Sequence, residues 1–263
     1  RGLTAHSGSQ PNEYRWFVTR HSDRANVLGV SVGSDVDRIT KVDEHLTHEL
    51  NRNDLRKSFS MGQAGDCDLW GNRIYVACQH PRKVAILNRN LAKLNEAVLI
   101  ANDRGQFPLS QEALSWCAVN PCDGMLYTSD VDNVTRVFGV DMKRGYRWTK
   151  TITIDRKINR VQGGACTPNG LLALASDDRS DPAFAHIHFF NGHSGAHLCD
   201  LEVARNWTNT IVSHQEIKGV CFAPDVFYGE PTALHTIITQ SNVSNQQAWV
   251  KHWEIPANQR EKM

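Results

Sequence analysis

One feature constrains this chain more than any other: it repeats. Cysteines recur at Cys67, Cys117, Cys166 and Cys221, a spacing of roughly 50 residues, which is the length of one propeller blade. Each lies in a short apolar run that leads into a turn rich in Gly, Asn, Asp or Pro. Examples are Asp66–Trp70 before Gly71-Asn72, Trp116–Asn120 before Asp123-Gly124, Ala165–Cys166 before Pro168-Asn169-Gly170, and Val220–Ala223 before Pro224-Asp225. Asn-Gly and Asp-Gly pairs suit tight hairpin turns because they tolerate positive φ.

A third strand follows at a similar interval. It is read in Arg38–Val42, Lys83–Leu87, Thr135–Val140, His186–Phe190 and Val250–Ile255. Fourth strands follow in Ala97–Ile100, Thr149–Ile154 and His197–Val203. The pattern predicts an all-β chain: a single β-propeller domain over residues 1–263, with about five four-stranded blades. Six blades fit if the first 60 residues hold more than one. A β-sandwich is the rival, but it needs no such repeat. Leu91–Leu99 can be written as a helix, yet it sits where a turn and a fourth strand belong. The chain ends on a third strand, so a strand at Tyr14–Thr19 is expected to complete the last blade and close the ring.

Composition narrows the setting. The 263 residues are 40% hydrophobic, enough for a full core, and the net charge of +1 gives no electrostatic case for nucleic acid or an anionic membrane. No apolar run of ~18 residues is present to span a bilayer as a helix. The sequons at Asn133, Asn206 and Asn242, with seven cysteines, favour a secreted glycoprotein over the alternative, a cytosolic protein with buried thiols. The start at Arg1 fits a mature chain. An odd number of cysteines leaves at least one thiol without an intramolecular partner. Cysteines at equivalent points of a ring lie too far apart to bond, since a disulfide needs Cα atoms within ~7 Å. Cys67–Cys78, on adjacent strands, and Cys117–Cys122, flanking a tight turn, are candidate pairs, and the sequence does not fix the pairing. Phosphate-loop, dinucleotide-binding, serine-hydrolase and zinc-protease signatures are absent from the sequence.

The stretch Val161-Gln162-Gly163-Gly164-Ala165-Cys166-Thr167-Pro168-Asn169-Gly170 resembles the inner strand and hairpin of TolB-like and gluconolactonase-type propellers. So does Glu216-Ile217-Lys218-Gly219-Val220-Cys221, although Lys218 stands where that pattern often has Glu directly before Gly. The resemblance covers roughly residues 60–240 as a pattern and speaks to fold more than to activity.

Propellers bind ligands where inner strands meet the axial channel. The polar residues ahead of those strands are therefore the candidates: Asp66, Asp68, Glu112, Gln162, His214 and Glu216. Asp66, Gln162 and Glu216 form an oxygen-rich set suited to a hard cation, Ca²⁺ or Mg²⁺. The resemblance implies that such a metal activates water or polarises a carbonyl. Glu112 or His214 would act as the base, with Asp68 and Trp116 contacting the ligand. The bland alternative is that these groups cap strands or line a wet channel. His186 and His188, two apart on a strand, share one face, with His193 and His197 across the turn. Such a group could bind zinc or copper, or simply be solvated.

The leading expectation is one axial site for a small molecule, with metal-assisted hydrolysis of an ester or lactone. The alternatives are a lectin binding glycans through exposed tryptophans and a non-catalytic interaction scaffold. Whether the chain is an enzyme, and its oligomeric state, are not readable from the residues.

Overall fold

The computed structural model describes residues 2–7, 14–21, 25–32, 48–60, 62–78, 83–98, 109, 113–205, 215–225, 230–240 and 248–253. They form five antiparallel sheets in chain order. The first holds β1 (Gly2–Ser7), β2 (Tyr14–His21), β3 (Ala25–Val32) and β4 (His48–Asp54). The second holds β5 (Ala64–Trp70), β6 (Arg73–Cys78), β7 (Lys83–Asn88) and β8 (Lys93–Val98). The third holds β9 (Ala118–Asn120), β10 (Met125–Thr128), β11 (Val134–Asp141) and β12 (Arg147–Ile158). The fourth holds β13 (Val161–Cys166), β14 (Leu171–Ser176), β15 (Phe184–Asn191) and β16 (His197–Ala204). The last holds β17 (Gln215–Asp225), β18 (Glu230–Gln240) and β19 (Ala248–Trp253).

Each sheet is a meander of neighbouring strands, the blade of a propeller. The first strands of the sheets touch in cyclic order: β1 with β5, β5 with β9, β9 with β13, β13 with β17 and β17 with β1. This agrees with the expectation of about five blades, with one blade among the described residues of the first 60.

The core lies between successive blades, and strand alternation explains it. All of β14 is buried. Leu172 and Leu174 turn towards the third blade and pack with Trp116, Val137 and Ile152. Leu171, Ala173 and Ala175 turn towards the fifth blade and pack with Ile217, Val220 and Leu234. In β6, Ile74 and Val76 meet Phe17 and Phe59, whereas Tyr75 meets Leu126 and Phe138 on its other side. A strand buried on both faces reads as a continuous apolar run, as Leu171–Ala175 does. Burying a side chain of Leu or Phe size contributes ~1.5–3 kcal/mol, so these interfaces carry the fold.

Three details differ from the expectations. Tyr14–His21 is not added to the last blade: it pairs with β1 and β3 inside the first. Gly2–Ser7 lies close in sequence, so the local hairpin closes a far shorter loop than pairing with the far end of the chain. Phe17 is fully buried there, against the second blade. The last sheet has three strands among the described residues. Leu91–Leu99 agrees with the expectation of a turn and a fourth strand, since Lys93–Val98 is β8 and not a helix. The one α-helix among the described residues, α1 (Leu55–Phe59), was not anticipated. Asp54 caps it by accepting from the N–H groups of Arg56 and Lys57, and Leu55 and Phe59 bury its inner face. The strand expected at Arg38–Val42 lies outside the described residues.

None of the seven cysteines is in a disulfide, which overturns both candidate pairs. A register shift in β5 sets Cys67 opposite Val76, while Cys78 faces Ala64. Burial pushes the thiols of Cys67, Cys117, Cys166 and Cys221 well above their usual range, so they behave as small apolar groups.

Candidate functional site

The axis is filled by Asp66. Its backbone N–H donates to the Ser115 carbonyl at 2.7 Å. Its Oδ1 accepts from Cys67 N at 2.9 Å, and its Oδ2 from Gly164 N at 3.2 Å and Val220 N at 3.3 Å. One fully buried carboxyl group thus ties together the first strands of the second, fourth and fifth blades. Thr19 Oγ1 donates to the Gly65 carbonyl at 2.6 Å, and Ser115 Oγ to the Val161 carbonyl at 2.9 Å, adding the first and third blades. The approach demands glycine. A Cβ on Gly163 would lie 2.7 Å from Asp66 Oδ2 and 2.7 Å from Gly219 Cα.

Trp116 is a wall, not a ligand platform. It is fully buried, its Nε1 donates to Ser129 Oγ at 2.9 Å, and a Cβ on Gly164 would sit 2.2 Å from its ring. The ring therefore offers no face to a sugar, against the expectation for this residue. Asp68 bridges the second and third blades: its Oδ2 accepts from Val119 N at 2.7 Å and its Oδ1 from Leu69 N at 2.8 Å. Burial pushes its carboxyl group up to about 6, although both N–H groups pull the other way.

Gln162 and Glu216 come together at the rim, where β13 and β17 begin, and a cation of the chain's own lies between them. Lys218 Nζ is 2.6 Å from Glu216 Oε2 and 3.5 Å from Gln162 Oε1. Arg179 donates to Glu216 Oε1, and Arg160 NH2 lies 3.8 Å from the same oxygen. Burial alone would raise the Glu216 carboxyl group, but Lys218 and Arg179 outweigh it and hold it below the usual range. Behind it, Asp177 is fully buried and faces Arg160 at 3.4 Å, Arg179 at 3.8 Å and Arg205 at 2.6 Å. Arg205 is a strut: it also donates to the carbonyls of Gln215, Asp178, Asp181 and Phe184.

These contacts do not suit a divalent metal on Asp66, Gln162 and Glu216. Two of the N–H groups on Asp66 point at the oxygen that would face a cation, and the Lys218 ammonium stands between the other two residues. Glu112 and His214 lie outside the described residues. Sequence reasoning noted Lys218 as a departure from pattern but missed Arg160, Arg179 and Arg205. Their signal was present in Arg160, next to the Val161-Gln162-Gly163 strand, and in the Asp177-Asp178-Arg179 run after an apolar strand.

No protein-family model and no curated protein matches the sequence, so its likeness to TolB-like and gluconolactonase-type propellers stays one of strand pattern. Solved structures do match. One is a glutaminyl cyclase from Myxococcus xanthus, with TM-score 0.55 and 10% identity over 91% of this chain and 88% of that one. Another is a GH43 β-xylosidase/α-arabinofuranosidase from a compost microbial metagenome, with TM-score 0.56 and 11% identity over 98% and 92%. A GH43 protein from Bacillus licheniformis gives TM-score 0.59 and 9% identity over 97% and 53%. At such identities the likeness is one of architecture, and it agrees with the sheets above: the chain has a β-propeller fold, one that also carries hydrolases.

Proposed function

We propose that this chain is a propeller with one axial binding site, at the rim formed by Arg160, Gln162, Arg179, Glu216 and Lys218, and that the site takes a small anionic molecule. A single observation carries the reading. Three cationic side chains converge on one carboxylate, Glu216, at a half-open rim. The Arg160 and Arg179 side chains are 36% and 50% exposed there, whereas Arg205 is nearly sealed. A ligand carboxylate or phosphate would satisfy the donors that Glu216 leaves unused, and guanidinium groups bind such anions in a bidentate fork. In this reading Lys218 holds the place expected for a divalent cation.

The reaction we attach to the site is hydrolysis of an ester or lactone that bears a carboxylate, with Glu112 or His214 as the base. Glu216 does not serve as the proton donor, because its cationic neighbours keep it ionised. A lectin reading loses its best residue with the burial of Trp116.

A thermal-shift panel of small carboxylates, phosphates and neutral sugars tests this. Anions should raise Tm in the unmodified protein, and R179A and K218M should each weaken that shift. Equal stabilisation by neutral sugars, or no response to any anion, would overturn the proposal.

A further inference from the structure

Away from the axis, on the face of the fourth blade that meets the third, two histidines and an aspartate converge. His188 on β15 pairs directly with Asp200 on β16. His197 lies three residues before Asp200, a spacing that would normally put the two on opposite faces of a strand. A register shift between Phe189 and Phe190 skips Leu198 and pairs His197 with Phe190, so His197 and Asp200 share a face. The result is tight. Asp200 Oδ1 is 2.7 Å from His188 Nδ1 and 2.8 Å from His197 Nε2, and the three ligand atoms lie within 4.8 Å of one another.

The scaffold around them is built. His197 N donates to both carboxylate oxygens of Asp155 at 3.0 Å, which straps it to the third blade. His186 stacks on His188 with ring centroids 5.8 Å apart. A cleft of about 240 Å³ runs past His186, His188 and Asp200 towards Ser176 and Asp178.

We propose that His188, His197 and Asp200 bind a zinc ion through two nitrogens and one oxygen, with the fourth position open to the cleft for water or a ligand. Three protein ligands and one open position is the arrangement of reactive rather than closed zinc sites. Arg156 acts as the stand-in cation. Its Nη1 contacts Asp200 Oδ2 and lies 3.1 Å from His197 Nε2, and its side chain is 44% exposed. His193 plays no part, as its ring covers the turn at Gly170.

The 263-residue chain is titrated with Zn²⁺ alone and, as a spectroscopic reporter, with Co²⁺. Expected is one equivalent bound, with the visible bands of a low-symmetry nitrogen and oxygen site and no thiolate-to-cobalt charge transfer. H188A and H197A should each weaken zinc binding at least tenfold, and R156A should strengthen it several-fold. Saturable binding that is absent, unchanged by either histidine substitution or accompanied by a thiolate band overturns the proposal. So does weaker binding in R156A. The spectrum of the unmodified protein decides the matter even where a variant fails to fold.

Discussion

Replacing Gly164 by alanine tests how tightly the axis is built. The added methyl group would overlap the Trp116 ring, with atoms at 2.2, 2.4 and 2.7 Å. The ring is fully buried between the third and fourth blades and has no open side to move into. Overpacking of this kind costs ~1–3 kcal/mol. Any shift of the ring also strains the bond from its Nε1 to Ser129 Oγ, now 2.9 Å, for about 1 kcal/mol more. The total is about 2–4 kcal/mol, and at about 2–4 °C per kcal/mol for a chain near this size, Tm should fall by about 5–15 °C. Calorimetric or fluorescence melting reads this directly. In a W116L background the same glycine substitution should cost under ~1 kcal/mol, because the atoms it collides with are gone. A G164A protein within ~0.5 kcal/mol of the unmodified chain, or an equal cost in both backgrounds, refutes the packing argument.

Other outcomes follow from single contacts. Asp68 is protonated more readily folded than unfolded, about 6 against ~3.9. The folded state therefore binds the extra proton, and the stability that Asp68 contributes should decline as pH rises from about 4 to 6, by up to ~3 kcal/mol. The difference in urea midpoint between the unmodified protein and D68N should show that slope; a difference that does not change with pH contradicts the assignment. R205K should lose ~2–4 kcal/mol, because one ammonium cannot replace a fork that holds Asp177 and four carbonyl oxygens. Retention of Tm within ~2 °C would show that the strut carries little. A thiol reagent should count seven free thiols in denaturant without reductant, and in the native protein react promptly with Cys122, the exposed one. A lower total would mean disulfides.

Much of the fold was legible because its cause is local. The third strands expected at Lys83–Leu87, Thr135–Val140 and His186–Phe190 fall on β7, β11 and β15, each bounded by the turn residues that announced them. Cys67 and Cys221 mark inner strands because a crowded axis favours small side chains. Tyr14–Thr19 was misassigned because a strand alone does not reveal its partner, and Gly2–Ser7 carries no repeat signature. The site was legible only by position. Asp66 was singled out as a metal ligand, whereas its role as a knot depends on the N–H groups of Gly164 and Val220, brought in from other blades. Arg160, Arg179 and Arg205 come from connections of unequal length, so no periodicity predicts their meeting. His188 and Asp200 face each other across a hairpin, yet the bulge that adds His197 has no signature in the sequence.

The central claim, a cationic rim that selects a small anion, is tested most directly by calorimetric titration with citrate and with its uncharged trimethyl ester at low and moderate salt. Citrate should bind, added salt and K218M should both weaken it, and the ester should be silent. Ester binding as tight as citrate binding, or heat from neither, would contradict it.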